Sequence, residues 1–383
     1  MHEDVALRVL MVSKACVVGM YQRKLEELAR LPGMELTVVV PPSWRDGERA
    51  LILERVYTSG YDLHVLPMAF NGHFHLHFYP GLGQLTQLLR PDIVHVDEEP
   101  YNLATFQAMW LARKHRAKAL FFTWQNLSRR YPPPFSAFEC YNLTHAACAI
   151  AGNEEAEQVL RSKGFVGPVY QLPQFGVDPD LYHPRKEMQG LRRMTTARQE
   201  AGFVIGYAGR LVEEKGIHLL LQAVAGLDGP WTLRLIGSGP YAAQLKGLSS
   251  QLGISDRVLF ELWASSAEMP ARLNELDVLV LPSLTRRNWK EQFGRVLIEA
   301  MACEVPVIGS SSGEIPHLIG DAGLVFPEGN VAALREALSK LMNDARLCTD
   351  LGHRGRKRVL ERYTQQRVAS QTYDIYRQVL GAG

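Results

Sequence analysis

Trp289-Lys290-Glu291-Gln292-Phe293-Gly294-Arg295-Val296-Leu297-Ile298-Glu299-Ala300-Met301-Ala302-Cys303 sets two carboxylates eight residues apart around a Phe-Gly break. From Phe293 onward the apolar residues Val296, Leu297, Ala300 and Met301 recur at helical spacing, and Gly294 near the start lets backbone approach a ligand closely. A helix start of this kind binds anions: first-turn amides have no partner within the helix, and the positive end of its dipole faces outward. Glu299, about a turn and a half into the helix, reaches polar groups beyond such an anion, and Glu291 reaches it from the other side. A diphosphate joining a ribose to a sugar fits this layout, because a carboxylate accepts strong hydrogen bonds from neighbouring hydroxyls. The same spacing also fits an amphipathic helix carrying two solvated glutamates, so the rest of the chain has to decide.

Outward from that stretch, β-rich runs alternate with helical patterns. Runs at Leu7–Val12, Glu35–Val40, Asp62–Leu66, Ile93–Val96, Ala119–Thr123 and Ala147–Ala151, with a helix around Gln22–Leu31, form a first set. Continuous apolar runs such as Val38-Val39-Val40 predict strands buried on both faces of a parallel sheet. The alternation breaks over Pro173–Arg198, where Pro173, Pro179 and Pro184 precede the basic residues Arg185, Lys186, Arg192 and Arg193, which places the linker there. It resumes with strands at Phe203–Ala208, Thr232–Ile236, Val258–Phe260, Val278–Leu281, Val305–Ile308 and Gly323–Phe326, and helices near Ile217–Ala225, Ala242–Gly253 and Phe293–Cys303. Helical patterns over Val331–Met342 and Cys348–Arg362 precede a last one, Gln365–Leu380. The reading is α/β: two doubly wound domains at 1–184 and 185–364, and a C-terminal helix within 365–383 packing back on the first. The ligand site is expected in a cleft at the carboxyl ends of both sheets.

The 383 residues are enough for two cores, and a hydrophobic share of 46% with a charged share of 21% is that of a globular enzyme. No run reaches the roughly 18 apolar residues of a membrane span, and Met1-His2-Glu3-Asp4 before Val5–Val12 reads as no secretion leader. Five scattered cysteines, Cys16, Cys140, Cys148, Cys303 and Cys348, read as free thiols of a reducing compartment rather than a metal set. The sequons at Asn126 and Asn142 are then chance. A net charge of +2 without a basic stripe excludes nucleic acid as the expected partner. No G-x-G-x-x-G lies on a first βα turn, which argues against a nicotinamide enzyme. Arg210 and Lys215, near the end of the first strand of the second domain, are two cations placed to neutralise a diphosphate.

Taken together, Gly209-Arg210 with Glu214-Lys215-Gly216, Gly237-Ser238-Gly239-Pro240, Glu291 with Glu299, and Ala302-Cys303-Glu304-Val305-Pro306-Val307-Ile308 resemble, in order and separation, the retaining glycosyltransferases of family four. Gln174-Phe175-Gly176-Val177-Asp178 with Leu181-Tyr182-His183-Pro184 is similar to that family's interdomain junction, so the resemblance covers nearly the whole chain. It implies the GT-B fold, two Rossmann-like domains facing an interdomain cleft, and transfer of a sugar from a UDP- or GDP-sugar to a hydroxyl with retention and without a metal or other cofactor. By resemblance Arg210 and Lys215 hold the diphosphate, backbone at Phe293, Gly294 and Arg295 caps it, Glu299 takes the ribose, and Glu291 holds the donor sugar. Glu291, Arg210 and Lys215 are the catalytic candidates. Gly209, Gly237, Gly19 and Trp263 complete the donor set, Gly19 standing for the glycine-rich turn after the first strand. Trp124, Asn126 and Glu98 are the acceptor candidates.

Departures are visible. Leu262 stands where the family has glycine, Phe122–Asn126 lacks the family's histidine, and its G-G-x-P-E pattern reads Ser312-Gly313-Glu314-Ile315-Pro316-His317. Three further groups bear on the acceptor. His73, His75 and His77 alternate, which on an extended segment would align three imidazoles for a metal; a loop lining the site is the other reading. Asp97-Glu98-Glu99 follows a strand, as an acceptor site or a solvated loop. Arg129-Arg130-Tyr131 before three prolines suits an anionic acceptor or lipid headgroups, hence peripheral contact at the inner face of the membrane for an otherwise cytoplasmic protein, the acceptor being a sugar, a lipid-linked molecule or a small molecule. An epimerase of the same architecture and a non-catalytic sugar-nucleotide-binding subunit are the alternatives.

Overall fold

The computed structural model describes residues 6–47, 49–185 and 202–381. Within it the chain forms two compact units, Met1–Gly176 with Gln365–Gly383, and Val177–Thr364. The boundary read at Pro184 therefore falls earlier, and the basic residues Lys186, Arg192 and Arg193 of the expected linker, like Met1–Asp4, lie outside the described residues.

Unit 1 is a seven-stranded parallel sheet. Its strands are β1 (Leu7–Val12), β2 (Met34–Val40), β5 (Asp62–Val65), β6 (Ile93–Val96), β7 (Lys118–Thr123), β8 (Cys148–Ala151) and β9 (Val169–Gln171), in the order β5-β2-β1-β6-β7-β8-β9. The central strand pairs on both sides, Val9 lying between Leu36 and Ile93. Successive side chains of a strand point to opposite faces, and β1 shows it: Val9 and Met11 join one buried cluster, Leu10 and Val12 another. One face is covered by the helices Arg23–Ala29 and Gln365–Gly381, the latter contributing Val368, Ala369, Ile375, Tyr376 and Val379. The other is covered by the helices Leu82–Leu89, Leu103–Lys114 and Glu154–Ser162. An antiparallel hairpin, β3 (Ser43–Asp46) and β4 (Arg49–Ile52), was not expected from the sequence, nor was the three-residue β9. Both are too short to show a period.

Unit 2 is a six-stranded parallel sheet of β10 (Phe203–Ala208), β11 (Trp231–Ile236), β12 (Val258–Glu261), β13 (Val278–Leu281), β14 (Val307–Ser310) and β15 (Leu324–Phe326), in the order β12-β11-β10-β13-β14-β15. The first strand is central and the order reverses between β10 and β13, the switch point at which open α/β sheets take ligands. β14 begins two residues later than expected, since Pro306 has no N–H to give the ladder, although its carbonyl accepts from Leu279 N at 2.9 Å. The chain enters and leaves unit 2 side by side: Val177 N donates to Tyr363 O at 2.8 Å, and Val177 bridges Thr364.

Candidate active site

At the switch point of unit 2 the ends of β10 and β13 bring together most of the residues singled out in the sequence. Gly209 and Arg210 follow β10, and Arg210 is exposed. The turn is held from below, because Tyr207 Oη donates to the Arg210 carbonyl at 2.8 Å and Leu211 N donates to Ser238 O at 2.9 Å. Gly237 lies so close to this turn that a Cβ there would come within 1.9 Å of the Gly209 carbonyl oxygen, so the two glycine turns interlock. Lys215 ends a short 3-10 turn, and Gly216 after it takes φ +67 with its Cα against the Pro282 carbonyl, beyond the end of β13. That contact carries Lys215 from the β10 side to the β13 side.

There the Lys215 ammonium meets Glu291 Oε2 at 2.6 Å and lies 5.0 Å from the centre of the Trp289 ring. Ser283 Oγ, fully buried, donates to the same Glu291 oxygen at 2.7 Å, while Ser310 Oγ donates to the Ser283 carbonyl at 2.6 Å. The loop after β14 is also tied in, Glu314 N donating to Glu291 O at 3.3 Å. The helix Arg295–Ala302 starts two residues later than read, because Gly294 at φ +82 acts as its cap, with Phe293 half-buried before it. Glu299 Oε1 pairs with Arg295 Nε at 2.8 Å. Burial pushes the Glu299 carboxyl up, and Arg295 and a hydrogen bond from Tyr182 act against that. Neither glutamate is solvated: Glu291 is buried and the Glu299 side chain is 12% exposed. The amphipathic-surface reading of the opening stretch is thereby removed. Trp263, following β12, is half-exposed beside an exposed Leu262. Ser283, Trp289 and Tyr182 went unassigned in the sequence; only their places, just past a strand end or beside a glutamate, could have marked them.

The switch point of unit 1, between β1 and β6, is built alike. Lys14, just past β1, pairs with Glu98, just past β6, and its ammonium lies 4.7 Å from the Phe74 ring and 5.3 Å from the Trp44 ring. Lys14 and His77, whose Nε2 lies 3.7 Å from Glu98, hold that carboxyl down at about 2 against the effect of burial. Its neighbour goes the other way: burial pushes Glu99 up to about 7, although it accepts from Thr123 Oγ1 at 2.6 Å and Trp124 N at 2.8 Å. Asp97, also raised by burial, accepts from Ser13 Oγ at 2.7 Å. Asp97 and Glu98 are thus buried and Glu99 is half-buried, so the triplet is not a solvated loop. Trp124 is half-buried with Nε1 donating to Gln174 Oε1 at 2.9 Å, Asn126 is buried, and Arg129 and Arg130 are exposed. Gly19 is buried, its amide donating to Glu54 Oε2 at 2.7 Å and its Cα covered by Val56.

The histidine run is a turn rather than an extended segment: His73 is exposed, His75 half-buried and His77 buried. Their alignment on one face fails for that reason, and among the described residues no group of three or more His, Cys, Asp or Glu could hold a metal ion. All five cysteines are free thiols. No described helix is long and apolar enough to cross a membrane. A depression of about 510 Å³ lined by Arg8, Glu35, Tyr61 and Asp62 lies at the amino ends of the unit 1 strands, away from the ligand end of such sheets.

Comparison with known proteins gives a consistent result. Residues 192–358 match the family model for glycosyl transferases group 1, and residues 18–173 match a glycosyl transferase 4-like domain. Among curated relatives, the 2-deoxystreptamine glucosyltransferase of Streptomyces kanamyceticus is 28% identical over 69% of this chain and 68% of its own length. A GDP-mannose-dependent alpha-(1-6)-phosphatidylinositol monomannoside mannosyltransferase of Mycolicibacterium smegmatis is 32% identical over 49% of this chain, and the match spans about half, 51%, of that relative. Among solved structures, sucrose-phosphate synthase of Thermosynechococcus elongatus superposes with a TM-score of 0.74 at 21% identity, covering 98% of this chain and 100% of that one. Anabaena HepE in complex with UDP gives 0.74 at 18% identity, covering 97% and 100%. These likenesses establish the GT-B fold, with two Rossmann-like domains.

Proposed function

Because the chain belongs to the glycosyl transferases group 1, we propose that it transfers a sugar from a nucleoside diphosphate donor to a hydroxyl acceptor, with retention and without a metal ion. The observation that carries this reading is the Lys215–Glu291 pair beside a helix start at the switch point of unit 2. A donor diphosphate would take Arg210, Lys215 and the first-turn amides at Gly294, three sources of positive potential that stand in for a divalent cation. Drawing Lys215 onto the phosphates releases one oxygen of Glu291, which Ser283 still orients, to accept from the hydroxyls of the transferred sugar. Glu299, steadied by Arg295 and Tyr182, accepts from the ribose.

Bond cleavage then leaves positive charge near the anomeric carbon and negative charge on the diphosphate. The acceptor attacks from the face the diphosphate leaves, its proton passing to a β-phosphate oxygen, so no side-chain nucleophile is required. Both GDP-mannose and UDP occur in the names of the relatives and neighbours, so the base is set by experiment. Trp124, Asn126 and Glu98 of unit 1 are proposed to face the acceptor. Calorimetry with UDP and GDP in the presence of EDTA tests the reading. One of the two is expected to bind with undiminished affinity after chelation, and strict dependence on magnesium or manganese would count against it.

A further inference from the structure

In unit 1, five aromatic rings gather on the loops at the carboxyl end of the sheet. His75 is central: its ring centre lies 5.1 Å from Phe135, 5.4 Å from Tyr101, 5.5 Å from Phe74 and 5.7 Å from Tyr131. Tyr101 and Tyr131 stack at 4.1 Å. The cluster is anchored from three directions. The Ala69–Phe78 bridge closes the loop that carries Phe74 and His75, the His75 carbonyl accepts from Leu103 N at 3.0 Å, and Tyr131 follows β7. Rings this closely packed are ordinarily a core, yet Phe74 is 41% exposed and His75, Tyr131 and Phe135 are only half-buried.

What could cover such a surface follows from its polar atoms. The His75 ring nitrogens have no hydrogen-bond partner among the described residues, and burial with the nearby His77 holds this imidazole in its neutral form. A neutral imidazole presents one acceptor and one donor beside apolar ring faces. An acyl chain would leave both unsatisfied. A sugar or cyclitol satisfies them, because it has a face of C–H bonds that packs on aromatic rings and equatorial hydroxyls that reach a ring nitrogen.

We propose that Phe74, His75 and Tyr131 form a docking platform for a carbohydrate ring, the acceptor of the transfer reaction. This rests on the glycosyltransferase reading and narrows its acceptor to a cyclic polyol. The platform adjoins Glu98, through Lys14 over the Phe74 ring, so it is continuous with a residue proposed above to face the acceptor.

Saturation-transfer NMR on the full chain, with methyl α-glucoside and myo-inositol as probes and open-chain sorbitol as control, tests it. Both cyclic probes are expected to receive saturation on their C–H hydrogens and sorbitol little. His75→Phe keeps the ring but removes the nitrogens and should weaken binding about fivefold, the worth of one hydrogen bond of roughly 1 kcal/mol. Tyr131→Ala should abolish it. UDP or GDP affinity, unchanged in both variants, shows that the donor site is intact, and cooperative thermal unfolding, at a lower midpoint for Tyr131→Ala because it loses the Tyr101 stack, shows that both variants fold. Equal binding by the variants, or by sorbitol, overturns the platform. So does a wild-type chain that binds a nucleotide but no cyclic probe, including one that sediments with phosphatidylglycerol vesicles instead. A wild-type chain that binds the cyclic probes but neither nucleotide sinks the glycosyltransferase reading and leaves the platform standing.

Discussion

Glu291 and Glu299 have the same side chain in different surroundings, and the difference separates their expected phenotypes. Glu299→Ala should weaken nucleoside diphosphate binding ten- to a hundredfold, since hydrogen bonds to a charged group contribute about 1.5–3 kcal/mol. Glu291→Ala removes the partner of Lys215 and frees that cation for phosphate, so nucleotide affinity should hold or rise while turnover falls sharply. Calorimetry and a donor-consumption assay on both variants decide it; loss of nucleotide binding in Glu291→Ala alone would reverse the roles. Glu98 and Glu99 carry a second residue-scale prediction, one of opposite signs. Glu99 is raised from an ordinary value near 4.5 to about 7, so the folded state holds its proton more tightly. Its contribution is fully present below about pH 4.5 and is lost as pH rises through about 7. Glu98, held at about 2, contributes above about pH 4.5, and that contribution is lost as pH falls towards 2. The thermal midpoint of Glu99→Gln should therefore gain on wild type between pH 5 and pH 8, and a gap constant with pH would refute the assignment. The pair Glu291 and Glu299 was legible as a local pattern, one carboxylate just before a glycine-capped helix and one within it. Their partners were not: a lone serine such as Ser283 has no signature until the sheet brings it near, and Tyr182 was read only as part of the junction motif.

Parallel strands buried on both faces read as continuous apolar runs, which made most strands legible along the chain at the scale of elements, while their order in each sheet was not read. Errors fell where backbone chemistry overrides composition: at Pro306, at Gly294, and in the β3–β4 hairpin. The turn from Glu213 to Gly216 illustrates how backbone geometry places a side chain, because Gly216 at its end fixes where Lys215 stands. Gly216 needs both a positive φ and the absence of a Cβ, which would stand 1.9 Å from the Pro282 carbonyl oxygen. Gly216→Ala should cost about 2 kcal/mol or more in stability and, by lifting Lys215 away from Glu291, lower turnover as well. Chemical denaturation with a turnover assay checks it; a variant as stable and active as wild type would show that the turn is more pliable than its geometry implies.

For the whole molecule, unit 1 is assembled from two separated stretches of sequence, and the second supplies part of its core. The helix Gln365–Gly381 buries Val368, Ile375 and Val379 against residues that include Leu25 and Leu28, and Tyr376 Oη shares a 2.6 Å hydrogen bond with His95 Nδ1. At about 1.5–3 kcal/mol for each fully buried aliphatic side chain, the three contribute roughly 5 kcal/mol or more. That is comparable with the whole stability of many domains. Ending the chain at Thr364 should abolish cooperative unfolding of unit 1 while unit 2 retains its own transition, as calorimetric scanning with limited proteolysis would show. Two equally cooperative transitions in the truncated chain would mean that the helix is dispensable. The sequence foreshadowed this helix by its apolar spacing, and the expected return onto the first domain is what unit 1 shows, while the residues it meets, such as Leu25 and Leu28, were not named. The interruption of unit 1 also bears on biosynthesis. A ribosome delivers residues in order, so unit 2, which is contiguous, has all its strands before unit 1 has its last helix. Until then the nascent chain carries an uncovered apolar face around Leu25 and Leu28, a surface on which chaperones, proteases and aggregation compete.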